Sequence, residues 1–227
     1  MDDLNLKESE APLRGVRPLV RGLLILFWGI PAALVVCVQT VRLDLWLSLG
    51  IAPPLLATAA LAAGVFQLAA FQLRDRQWLR AVRRAQAAAV TLCGLSPFLY
   101  WWRMAPHHPH FIAMAMALGP VGLWFLDSVN CALRRLGSML HDEKLELETR
   151  WLTGVIRSAL GAFAAALLLL AGLRFAPIAP RAMAAAGDYL ASVEAVLLLL
   201  FLFPLALTMV VIWKLKEATL RRALPEG

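Results

Sequence analysis

The stretch 111-FIAMAMALGPVGLWFLDSVNCALRRLGSMLHDEKLELETRWLTGVIRSALGAFAAALLLLAGL-173 decides the fold. It contains two apolar runs, Phe111 to Leu133 and Trp151 to Leu173, joined by the charged connection Arg135 to Arg150. Each run has 23 residues. A helix of that length spans about 34 Å, enough to cross a hydrocarbon core of about 30 Å. A spanning helix satisfies its own backbone hydrogen bonds, so helix is the form such runs take in lipid.

The same reading extends to the whole chain. Of 227 residues, 61% are hydrophobic and only 16% charged, and the mean hydropathy is +0.71. Soluble domains carry charge on about a quarter of their residues. Further apolar runs lie at 22–41, 49–73, 86–102 and 189–213. The expected fold is therefore all-α, a polytopic transmembrane bundle of about six spans covering residues 19–213. Residues 1–18 read as a disordered polar tail and 214–227 as a short basic one. The first run is too long for a cleavable signal and no A-x-A site follows it, so it reads as an uncleaved span with a kink at Pro31. In the second run, Ala60 and Gly64, with Ala59 and Ala63 beside them, offer a small-residue face for close helix approach.

Charge fixes the orientation. Of the 22 Lys and Arg residues, 17 fall in the two tails and in the second and fourth connections. Only Arg42, Arg103, Arg174 and Arg181 lie in the remaining connections. By the positive-inside rule both termini are cytoplasmic, in a bacterial-type inner membrane. The net charge of +7 follows from these dispersed flanks and does not imply nucleic acid. Trp46, Trp78, Trp101, Trp102, Trp151 and Trp213 sit at run ends, where an interfacial belt places them.

The most basic connection, Arg74 to Arg84, puts Arg76, Arg80, Arg83 and Arg84 on one side of a helix. Trp78, Leu79 and Val82 fall largely on the other side. This describes an interfacial helix that attracts anionic headgroups or a partner protein. The acidic group Asp142, Glu143, Glu146 and Glu148 in the fourth connection is a second candidate for partner docking, although a charge run is more often a solvated face.

Two ionisable residues, Asp127 and Arg157, lie about 10 Å inside the runs that hold them. Charges there are expensive and need partners. The expectation is an ion pair, joined by Asn130, with Gly154 and Gly161 leaving room beside Arg157. Asp127, Asn130, Cys131 and Arg134 share one stripe by spacing. Glu194, near the start of the last run, completes the candidate intramembrane polar set. The pair reads as a helix clamp or, alternatively, as a proton or substrate site; a third reading needs no pair, with Arg157 snorkelling to the headgroups.

No catalytic signature and no cofactor-binding fingerprint occurs in the sequence. Cys37, Cys93 and Cys131 have no metal or disulfide spacing. The turn containing His107, His108 and His110 holds three imidazoles between prolines, without a carboxylate, and reads as a solvated turn rather than a metal site. Three functions follow in order of support. The first is a non-catalytic subunit or scaffold that holds anionic lipid or another membrane protein through its cytoplasmic connections. The second is a small transporter using Asp127 and Arg157 or Glu194, favoured by helix-breaking prolines. The third is a lipid-acting enzyme with its metal in the histidine turn.

Overall fold

The computed structural model describes residues 2–42, 49–71, 75–139, 143–175 and 201–221. Every regular element among them is an α-helix: α1 (Asp2–Arg42), α2 (Ala52–Ala69), α3 (Arg76–Leu95), α4 (Pro97–Met104), α5 (Pro109–Met139), α6 (Glu143–Phe175) and α7 (residues 201–221). Three stretches within them are long and apolar enough to cross a bilayer: Val16–Val41, Ala52–Ala69 and Pro109–Met139.

The helices outrun the apolar segments that define them. The tail expected to be disordered is helical from Asp2, continuous with the first apolar run. Its Leu, Lys and Glu residues are good helix formers, and joining an existing helix avoids the cost of nucleation. The charged connection 135–150 is largely helix too, because α5 continues to Met139 and α6 starts at Glu143. The last helix continues through Lys214 to residue 221, well into the stretch read as a tail.

The largest correction concerns residues 74–102. The interfacial helix and the third run are not separate elements, since α3 runs unbroken from Arg76 to Leu95. Its apolar side faces protein rather than headgroups: Trp78 and Ala88 are completely buried, and Val82, Ala85, Ala89 and Leu92 are buried with them. They pack chiefly against α5 and α2. The helical chain then breaks at the fully buried Ser96, because Pro97 lacks an N–H and starts the short helix α4. Ser96 Oγ bonds the Cys93 carbonyl at 3.0 Å and lies 3.1 Å from Thr58 Oγ1 on α2. Bonded hydroxyls of this kind hold helices together where no water is available.

Long-range contacts sort the helix termini into two ends. At one end, Gly22 of α1 meets Gly64 and Leu68 of α2. There Asp75 before α3 bonds Arg135 of α5, and Glu148 of α6 bonds Lys214 of α7. At the other end, Arg103 of α4 donates to the Thr40 carbonyl of α1 at 3.1 Å, and the start of α2 approaches Ser96. The basic connection and the C-terminal lysine thus share an end, opposite the histidine turn. Helix α7 joins the bundle through Phe201 on Phe163 of α6 and Trp213 on Phe27 of α1, with ring centroids 5.2 and 5.7 Å apart.

The small-residue contact is real but narrower than its sequence suggests. Ala60 and Ala63 are exposed, and the buried stripe of α2 is Pro54, Thr58, Leu61, Gly64, Val65 and Leu68. Gly64 meets a glycine of α1 that the spacing within α2 does not reveal. A Cβ on Gly22 would sit 2.8 Å from the Gly64 carbonyl oxygen and 3.2 Å from Gln67 Cβ. Because backbone blocks the way, Gly22→Ala must push α1 from α2, at about 1–3 kcal/mol. Chemical denaturation in detergent should show that loss, and Gly94→Ala, where the added methyl meets nothing within 4 Å, should show none.

Candidate functional site

The polar residues expected in the membrane divide into two sites. Arg157 Nε donates to Asp127 Oδ1 at 2.9 Å, and Nη2 donates to Oδ2 at 3.2 Å. This is the fork geometry that makes arginine–carboxylate pairs directional. Arg157 Nη2 also lies 3.8 Å from Cys131 Sγ. The pair joins α5 to α6 on the outside of the bundle, with the Arg157 and Asp127 side chains 56% and 38% exposed. It does not occupy the bundle's centre. Gly154 and Gly161 contribute no packing beside it, since an added Cβ on either would meet nothing within 4 Å.

Asn130 does not join this pair. It is 1% exposed and turns inward, where its Nδ2 donates to the Leu126 carbonyl at 2.8 Å and to Thr208 Oγ1 of α7 at 2.9 Å. Thr208 in turn donates to the Pro204 carbonyl at 2.8 Å. Proline at 204 cannot donate a backbone bond, and the Thr208 hydroxyl gives its carbonyl a partner in addition to the helical ladder. Asn130 Oδ1 is buried without a hydrogen-bond partner among the described residues. The stripe Asp127–Asn130–Cys131–Arg134 thus splits at Asn130, because a helix turns 300° over three residues, not 360°. Glu194 lies outside the described residues.

The basic quartet behaves differently from its expected role. Arg76, Arg80, Arg83 and Arg84 are all exposed, but only Arg80 and Arg84 turn toward α5. With Gln77, Ala81, Cys131, Arg134 and Arg135 they line a cleft of about 660 Å³. A second hollow of about 290 Å³ shares Gln77, Cys131, Arg134 and Arg135 and adds Ser138 and Arg150. The two form one groove between the start of α3, the end of α5 and the first turns of α6.

Asp75 anchors the groove's edge. It is the N-cap of α3: its Oδ1 accepts from the backbone N–H of Gln77 at 2.7 Å and of Trp78 at 3.3 Å. Its Oδ2 accepts from Arg135 Nη2 at 3.0 Å and Nε at 3.3 Å. Desolvation works against the carboxylate, but these backbone donors and the Arg135 guanidinium together hold its pKa below the ordinary value. A lowered folded-state pKa adds stability above the unfolded carboxylate's pKa, and that stability is lost as pH falls through the folded value. Asp75→Asn should therefore be less stable than the parent near neutral pH. The two unfolding curves should converge as the pH drops below the usual carboxylate range. Asp before a helical run is a readable start signal, so this residue was findable in the sequence. Its link to Arg135, sixty residues away, was not.

The acidic cluster supplies Glu148, which bonds Lys214 of α7. In the last turns of α7, Arg221 pairs with Glu217 at 2.7 Å and Lys216 Nζ lies 3.5 Å from the Trp213 ring centroid. In the histidine turn, His108 lies against Phe111 at 4.9 Å, and His110 against Phe98 and Phe111 at 5.8 and 5.9 Å. Among the described residues no three His, Cys, Asp or Glu side chains converge as a metal site would require.

Comparison of the chain with protein-family models, with curated proteins and with solved structures finds no match.

Proposed function

We propose that this protein is a non-catalytic, six-span protein of a bacterial-type inner membrane that holds anionic lipid and another membrane protein at its arginine-rich cytoplasmic end. The observation that carries this reading is the division of labour on α3. Its apolar side is consumed by the bundle core, while Arg76, Arg80, Arg83 and Arg84 stay exposed at the end that also carries Arg134, Arg150 and Lys214. Charge at that end is free to meet headgroups or a partner without disturbing the fold. Helices α1, α2 and α5 supply three crossings by length and apolarity. The α3–α4 pair, α6 and the last apolar run supply the other three.

Purification from native membranes in mild detergent tests this. A second membrane protein should be recovered at a fixed molar ratio, and replacing Arg76, Arg80, Arg83 and Arg84 by Gln should release it. The competing reading is a small permease, supported by the paired charges on α5 and α6 and by Pro120 inside α5. Solute flux into proteoliposomes that disappears with Asp127→Asn would favour the permease and count against the scaffold.

A further inference from the structure

We propose that the groove between α3, α5 and α6 is a phosphate-group site. Five arginines, Arg80, Arg84, Arg134, Arg135 and Arg150, line it, and among the described residues its wall holds no acidic side chain. Asp75 engages Arg135 from the edge. Among the described residues, no carboxylate lies within ion-pair distance of Arg80, Arg84, Arg134 or Arg150.

Orientation in a membrane does not require this arrangement. The positive-inside rule asks only that basic residues lie on one side, and is met by dispersed charges. Arg76 and Arg83 meet it while lying outside the groove wall. Drawing arginines from three helices onto one hollow costs mutual repulsion, which is relieved when an anion sits between them. The guanidinium fork matches two phosphate oxygens at once, and several forks around a hollow grip one phosphate from several directions. Gln77 and Ser138 add neutral polar groups in the same wall. At about 660 Å³, the cleft is in the range of small-ligand sites.

The groove lies at the end of α5 beyond Asp127, where the helix passes from its apolar run into its charged extension. That is headgroup depth for the bundle as proposed above, and the inference rests on that reading for its lipid form. A phosphate reaches such a site either on an anionic phospholipid or on a soluble phosphate compound. The recognition chemistry is the same.

The full chain in nanodiscs separates these sources. Thermal unfolding is followed in phosphatidylcholine discs, in discs doped with phosphatidylglycerol, and in phosphatidylcholine discs with added pyrophosphate. A saturable upward shift should appear with the anionic lipid or with pyrophosphate, and the responding arm identifies the source. Arg84→Gln with Arg134→Gln should weaken that response roughly tenfold or more. Arg76→Gln with Arg83→Gln, equal in charge removed but outside the groove wall, should leave it within about twofold. If the Gln pair in the groove does not fold, Arg84→Lys with Arg134→Lys keeps the charge and removes the fork, and should weaken the response in the same arm. Equal loss in both Gln pairs would overturn the groove while leaving a diffuse basic surface standing. No shift in either arm would overturn the groove, and with it the lipid-holding part of the proposed function, while co-purification of a partner would still stand.

Discussion

Replacing Trp78 by alanine should cost about 3–5 kcal/mol, the range for emptying a large aromatic site in a packed core. Trp78 is completely buried where α3 meets α2 and α5, and its ring packs edge-on against Phe71 at 6.2 Å. A loss of that size is a large share of the roughly 5–15 kcal/mol that holds a typical domain folded. Trp78→Phe separates packing from polarity. The indole Nε1 is buried without a hydrogen-bond partner among the described residues, and an unsatisfied buried donor costs about 1–3 kcal/mol. Phenylalanine removes that donor and keeps an aromatic ring against Phe71. It should therefore be far closer to the parent than alanine is. Guanidinium or SDS titration in detergent micelles measures both. Equal, small effects from the two substitutions would mean that Trp78 is an interfacial anchor, as its place in the sequence suggests, and not a core residue.

The second large effect is expected at the ion pair. Asp127→Leu leaves Arg157 without its bidentate partner. A lone charge at the centre of a spanning helix costs roughly 2.5–3.5 kcal/mol on insertion scales. Arg157 is more than half exposed and its long stem lets it reach toward headgroups, so the measured loss should fall below that range. Arg157→Leu, which leaves Asp127 without its partner in turn, should lower stability in the same unfolding transition. The exchange Asp127→Arg with Arg157→Asp should recover most of the stability lost in each single charge reversal. Failure of the exchange to recover anything would show that the pair clamps nothing.

The sequence makes the class legible and the packing only partly so. Runs near twenty residues long mark helices because lipid allows few other forms, and every described residue in those runs is helical apart from short breaks around residues 50, 71 and 96. The break before α2 is a turn with Gly50 at φ +59°, a conformation that glycine takes without strain. Hydropathy failed at the ends. Polar helix carries no hydropathy signal, so the apolar run begins at Trp151 although α6 starts at Glu143. The faces were harder still. An amphipathic helix beside a membrane can turn its apolar side to lipid or to neighbouring helices, and α3 presents the same pattern in either case. Only the three-dimensional contacts of Trp78 and Val82 decide it. The Asp127–Arg157 pair is legible as one of several arrangements, because opposite charges at matched depth on consecutive antiparallel helices can meet, and the structure shows that they do. The place of Asn130 is not visible in local spacing, because its partner, Thr208, lies 78 residues away on α7. The groove was out of reach for the same reason: Arg80, Arg134 and Arg150 belong to three helices, and spacing within one helix says nothing of the others.

Sidedness is tested most directly by labelling with a membrane-impermeant maleimide. Cys37, Cys93 and Cys131 are replaced by serine or alanine, and single cysteines are placed at the exposed positions Arg83 and His107. The proposed six-span topology has α3 and α4 carry the chain from one face to the other; it predicts that His107→Cys reacts in intact cells and Arg83→Cys only in inverted vesicles. Reaction of both positions from the same side, or recovery of the chain in the soluble fraction without detergent, would contradict the account.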